Sequence, residues 1–180
     1  MKRFSLLLWI FLASGCTSAI QFQPPPPTPV TGSIYSPPRG EETEAILREL
    51  NKAQISILVQ SFSFFPAPVA EALVSAQERG VNVQILLDKS PPDELYIATG
   101  VFVNAGISIK IDSAHAVGQD KVMIIDGETI ITGSFNFTKA AEDKIAVNLL
   151  VIRDKATAKK YTETWQDHKG HSEPYSGRGR

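Results

Sequence analysis

The sequence predicts an α/β fold in which a mixed β-sheet is flanked by helices on both faces. Apolar runs of strand length alternate with stretches of helical periodicity, the pattern of helices laid over a sheet. An Asp-Gly pair between two strand-like runs adds a hairpin. The 180 residues are 43% apolar and 21% charged, which suits one globular core with appendages.

Taken in order, Glu41 to Ala53 repeats Ala45, Ile46, Leu50 and Ala53 at helical spacing, and Ile55 to Val59 is a short apolar run of strand length. Pro66 to Arg79 reads as a helix closed by Gly80, Val81 to Leu87 as a buried strand, Asp93 to Asn104 as a helix and Ile107 to Ile111 as a strand. After the hairpin, Val147 to Ile152 supplies one more strand. Lys155 to Trp165 forms a final helix with Ala156, Ala158, Tyr161 and Trp165 available for packing. The folded domain is expected over 39–170. The tail 171–180 shows no periodicity and is expected to be disordered.

The N-terminus carries an address. Lys2 and Arg3 precede an apolar run from Phe4 to Ala13, shorter than the roughly 20 residues a bilayer span needs but suited to a secretory signal over 1–15. Cys16, the single cysteine, follows Leu12-Ala13-Ser14-Gly15, which resembles a bacterial lipobox. That resemblance implies lipidation of Cys16 and an exported protein anchored in the bacterial envelope, with Thr17 favouring the outer membrane. Ordinary secretion to the periplasm, or an uncleaved anchor, are the alternatives. The segment 16–38, with Pro24 to Pro27, Pro29, Pro37 and Pro38, favours extended polyproline II and reads as a linker. Without Lys2 and Arg3 the 18 basic side chains fall to 16 against 19 acidic, a net −3. Attraction to phosphate must therefore come from a local cluster and not from bulk charge.

The chemistry concentrates in Gln119 to Asn136. Lys121 to Ile125 and Thr129 to Thr132 flank Asp126-Gly127. With that pair at the two central turn positions, Ile125 would face Glu128, Lys121 would face Thr132 and Gln119 would face Ser134. Gln119, Lys121, Ser134 and Asn136 then emerge on one face at one end of the hairpin, while Val122, Ile124 and Ile131 point to the other.

Lys121-Val122-Met123-Ile124-Ile125-Asp126, six residues, then Gly133-Ser134-Phe135-Asn136 resembles the phospholipase D signature H-x-K-x4-D-x6-G-S-x-N, with matching spacing throughout. The stretch Gly133 to Glu142 and the upstream Val81 to Ser90 are similar to the small bacterial single-motif endonucleases of that superfamily, and the likeness runs from about Ser33 to Lys169. The resemblance implies a metal-independent phosphodiesterase acting through a covalent phospho-enzyme, without cofactor, on nucleic acid or, less favoured, phospholipid. It also implies a homodimer, because such sites are assembled from two signature copies. Lys121, Ser134 and Asn136 would bind phosphate, as an ammonium charge, a hydroxyl and an amide can. The counterpart of Asp126 supports the site and does not attack.

Two positions depart from that pattern. Gln119 stands where the family has its nucleophilic histidine, and a neutral amide neither forms a phosphoramidate nor shuttles protons near neutral pH. Val147 stands where the subgroup has the glutamate that hydrogen-bonds that histidine. His115, four residues before Gln119, would lie about 13 Å away in an extended chain, beyond reach of the same phosphate. No convincing metal-ligand spacing stands out, and His115, His168 and His171 do not read as a triad. Three readings follow: a phosphodiester-binding protein with impaired catalysis, an active endonuclease or phospholipase D-like hydrolase, and a non-catalytic envelope interaction protein.

Overall fold

Eight strands pair into one sheet in the order β1-β7-β6-β5-β2-β3-β4-β8. The computed structural model describes residues 30–35, 41–61, 65–88, 99–114, 121–134 and 148–175. The strands are β1 (Thr31–Tyr35), β2 (Ser56–Ser61), β3 (Asn82–Asp88), β4 (Ser108–Asp112), β5 (Lys121–Ile125), β6 (Thr129–Gly133), β7 (Leu149–Arg153) and β8 (Glu173–Pro174). The helices are α1 (Glu41–Lys52), α2 (Ala67–Glu78), α3, whose described helical residues are 99–104, and α4 (Lys155–His171). β2, β3 and β4 run parallel, and the other pairs are antiparallel. The mixed sheet is therefore the expected one.

Period-two alternation along the strands divides the core between two faces. Ile57, Val59, Ile85, Ile109, Met123 and Ile131 point toward Ala45, Ile46 and Leu50 of α1, Val69, Leu73 and Ala76 of α2, and Phe102 of α3. Leu58, Leu86, Ile124 and Ile130 meet Ala158 and Trp165 of α4. Helices thus cover both faces, as the sequence predicts. Trp165 buries its ring and donates its indole N–H to the Val59 carbonyl at 3.0 Å, which ties α4 to the centre of the sheet. Asp154 starts α4 by accepting the Thr157 N–H at 2.7 Å.

The sheet reaches past both ends of the expected domain. β1 lies inside the segment read as a Pro-rich linker, because Thr31 to Tyr35 contain no proline and keep the N–H groups needed to pair with β7. β8 lies inside the segment read as a disordered tail, where Glu173 and Pro174 pair with β4 at the sheet edge, the place where a strand proline is tolerated. α4 also runs six residues beyond Trp165. Lys110 holds its last turn by donating to the carbonyls of Lys169 and Ser172 at 2.9 and 3.1 Å.

The hairpin register differs by one residue from the expected one. Ile125 pairs with Thr129, Ile124 with Ile130, Met123 with Ile131 and Val122 with Thr132. Asp126 and Gly127 take positive φ of 53° and 65°, and Ile125 accepts the Glu128 N–H at 3.0 Å, so Glu128 belongs to the turn. Glu128 in turn accepts from the Asp154 N–H at 3.0 Å, which commits its carbonyl to the start of α4. A one-residue slip exchanges faces on one strand. Ile131 consequently packs with Met123 and not, as expected, with Val122 and Ile124.

Candidate functional site

The parallel strands β2, β3 and β4 all finish at one end of the sheet, at Ser61, Asp88 and Asp112. β5 runs antiparallel to β2 and begins there, with Lys121 beside Ser61. β6 returns to the same end and finishes at Gly133, paired with Leu149. Lys121 and Ser134 therefore lie at one end of the hairpin, one and two residues beyond the last described cross-strand pair, Val122 with Thr132. The slipped register puts Lys121 on the face of Met123 and Ile131, not on the face opposite Ile131 as expected. Gln119 and Asn136, together with Val147 and His115, lie outside the described residues, as does Cys16.

Local contacts explain why Gly and Ser stand at 133 and 134. Gly133 has φ of +144°, and a Cβ there would lie 2.3 Å from the Asn148 carbonyl oxygen. Only glycine allows that approach. The Asn148 N–H donates to the Ser134 hydroxyl oxygen at 3.0 Å, while the Ser134 N–H lies 3.1 Å from the Asn148 carbonyl and 3.2 Å from its side-chain oxygen. With its oxygen accepting from Asn148, the exposed Ser134 hydroxyl donates to no other group among the described residues. Asn148 was not among the residues expected to shape the site. Its signal in the sequence is only its place just ahead of β7.

Asp126 is placed elsewhere. It sits at the hairpin turn, the length of β5 away from Lys121, which is about 16 Å at strand rise. Its carboxylate accepts the N–H groups of Gln54, Ile55 and Ser56 at 2.9, 2.8 and 2.9 Å, and its own N–H donates to the Ser56 carbonyl at 2.9 Å. Partial burial pushes its pKa up, but the three N–H bonds outweigh that and leave it below the ordinary 3.8. Asp126 thus clips the β5–β6 turn to the loop entering β2, holding in register the strand that carries Lys121. At that distance its carboxylate is out of hydrogen-bond reach of Lys121.

A lysine, a backbone-anchored serine hydroxyl and an obligatory glycine thus stand at one end of a mixed α/β sheet, the fold of phospholipase D-family phosphodiesterases. A family model described as "Cardiolipin synthase, PLD-like domain" matches residues 46–168. The chain is 38% identical over 137 residues to a "Phospholipase D" of Rickettsia conorii, covering 76% of this chain and 68% of that protein. It is 27% identical to a "Mitochondrial cardiolipin hydrolase" of Xenopus tropicalis, covering 79% and 66%. Among solved structures, Nuc from Salmonella typhimurium, a phospholipase D family member, superposes with a TM-score of 0.77 at 34% identity, covering 82% of this chain and 99% of that one. NucT from Helicobacter pylori shares the fold with a TM-score of 0.70 at 19% identity. The chain belongs to the phospholipase D-like family.

Proposed function

We propose that this protein binds phosphodiesters, nucleic acid in preference to lipid, and that its own hydrolysis of them is impaired. One observation carries the reading. The phosphate-binding half of the signature, Lys121 and Ser134, is retained at one end of the sheet, whereas position 119 holds glutamine where the family's nucleophile stands. Loss of a nucleophile costs on the order of a million-fold in rate, judged from serine hydrolases, while binding groups survive it. The likeness to the small endonucleases supports nucleic acid. The Rickettsia relatives, named for phospholipid cleavage, make lipid the competing ligand. The single signature copy supports a homodimer related by two-fold symmetry, in which two copies of the Lys121 hairpin complete one site.

Binding and cleavage are read together on the full chain, with single-stranded DNA, duplex DNA and anionic vesicles for binding, and a bis-phosphodiester chromogen in excess chelator for cleavage. The unmodified chain binds DNA without cleaving. Gln119→His combined with Val147→Glu restores cleavage by more than the two single substitutions together, since the imidazole needs an acceptor to orient it. Cleavage by the unmodified chain as fast as by the double variant would sink the reading. Silence of a folded, dimeric double variant would show that the hairpin is misaligned with the family's site. Sedimentation as a concentration-independent monomer at micromolar levels would remove the dimer.

A further inference from the structure

Away from the hairpin, a second cluster of ligand-type side chains closes at the end of β4. His168 and His171 stand three residues apart on the last turn of α4, the spacing that puts two side chains on one helix face. Both aim at Asp112, the last residue of β4. His168 Nδ1 lies 2.7 Å and His171 Nε2 3.2 Å from the same carboxylate oxygen, Oδ2, and the three ligand atoms lie within 4.8 Å of one another. We propose that Asp112, His168 and His171 form a binding site for a divalent transition-metal ion of the zinc type.

The geometry carries this in three ways. Zinc bonds to nitrogen and oxygen of about 2.0–2.2 Å set neighbouring ligand atoms about 3–3.5 Å apart, so small side-chain rotations bring the three atoms onto one ion. The frame is held in advance. Asp112 Oδ1 accepts the Ala114 N–H at 3.0 Å, which turns Oδ2 toward the histidines, and Lys110 clamps the carbonyls at the end of the helix that presents them. Access is also built in, since Asp112 is buried with its side chain 2% exposed, whereas those of His168 and His171 are 19% and 40% exposed. Water can complete the coordination from that side. Two imidazoles and one carboxylate suit zinc and its first-row neighbours over calcium or magnesium, which prefer all-oxygen shells.

The site is distinct from the phosphodiester-binding end of the hairpin. β4 stands three strand positions from β5, about 14 Å, and Asp112 points to the α4 face of the sheet with Lys110, not to the face of Met123. A bound ion would pin the C-terminal turn of α4 to the end of β4.

The test uses the untagged full chain, solubilised in detergent and stripped of metal. Zinc is titrated against a chromophoric chelator, Co2+ is added separately for its visible d–d absorption, and melting is followed with and without zinc. The expected result is one zinc per chain, a Co2+ spectrum, and a melting temperature raised by zinc. His171→Ala removes a half-exposed side chain and keeps the fold by circular dichroism. It weakens zinc by at least the 10–100-fold typical of losing an outer-shell partner, and abolishes the thermal shift. His168→Ala gives the same direction. Failure of the unmodified chain to compete for zinc overturns the proposal and leaves the histidines as a hydrogen-bonded clasp on Asp112. So does zinc binding left undiminished by both substitutions.

Discussion

Replacing Asp126 separates a positioning role from a catalytic one. Three N–H bonds to an ionised carboxylate are worth about 1.5–3 kcal/mol each when shielded. The bonds from Gln54 and Ile55 are exposed, so those donors recover much of their loss from water, and only that from Ser56 is part-buried. A total of about 3 kcal/mol follows for Asp126→Ala, plus about 1 kcal/mol because φ is 53° at that position, a conformation alanine resists. Asp126→Asn tolerates the backbone and keeps one acceptor oxygen, but turns an amide N–H toward that of Gln54; it should cost about 1–2 kcal/mol. At roughly 2–4 °C per kcal/mol for a chain of this size, the alanine variant melts about 8–16 °C lower.

The pH dependence of that loss has a defined sign. The folded pKa of Asp126 is depressed, so its contribution is fully present above the unfolded-state value and is lost as pH falls through the folded one, below 3.8. Urea unfolding of the parent and the asparagine variant should therefore show a gap at pH 7 that narrows below that value. DNA binding by the folded variants should change far less than for Lys121→Ala. An asparagine variant with an unchanged urea midpoint but no phosphodiester binding would refute the reasoning and make Asp126 a ligand-contacting group.

Gly133→Ala should destabilise by about 2–4 kcal/mol and weaken phosphodiester binding together, because the Cβ displaces the Asn148 carbonyl that seats Ser134; urea midpoints and a DNA titration check both. Ser134→Ala should lower DNA affinity several-fold with stability nearly unchanged, as the exposed Asn148 N–H it frees can bind water. Trp165→Phe should cost about 1–3 kcal/mol, since it leaves the buried Val59 carbonyl without the indole donor while preserving most of the packing; thermal melts measure it.

Much of this molecule is written in local sequence. α1 and α2, the strand runs and the bounds of β5 come from periodicity within a few residues, because burial on one face imposes a period of 3.6 or 2 on any segment that packs. The signature spacing likewise placed Lys121 and Ser134 at one end of a hairpin, since both ends of a tight turn are tied by a short chain. Other features depended on partners far away in sequence. Asp-Gly specified a turn but not its length. That was decided by Asp126 binding the loop at 54–56 and by Glu128 binding Asp154, contacts across as many as 72 residues. β1 and β8 have too little periodicity to read alone and exist because β7 and β4 offer unpaired edges. The meeting of Asp112 with His168 and His171 was equally hidden. Periodicity in the sequence ended the helix at Trp165 and left His171 in the tail, so the shared helix face of the two histidines, like the strand end that α4 confronts, came only from the packing of α4 across the sheet. Local sequence thus carried the periodic segments and the signature spacing of Lys121, Asp126, Gly133 and Ser134. Tertiary structure decided register, edges and cross-element contacts, because their energies belong to pairs of groups that no local window contains.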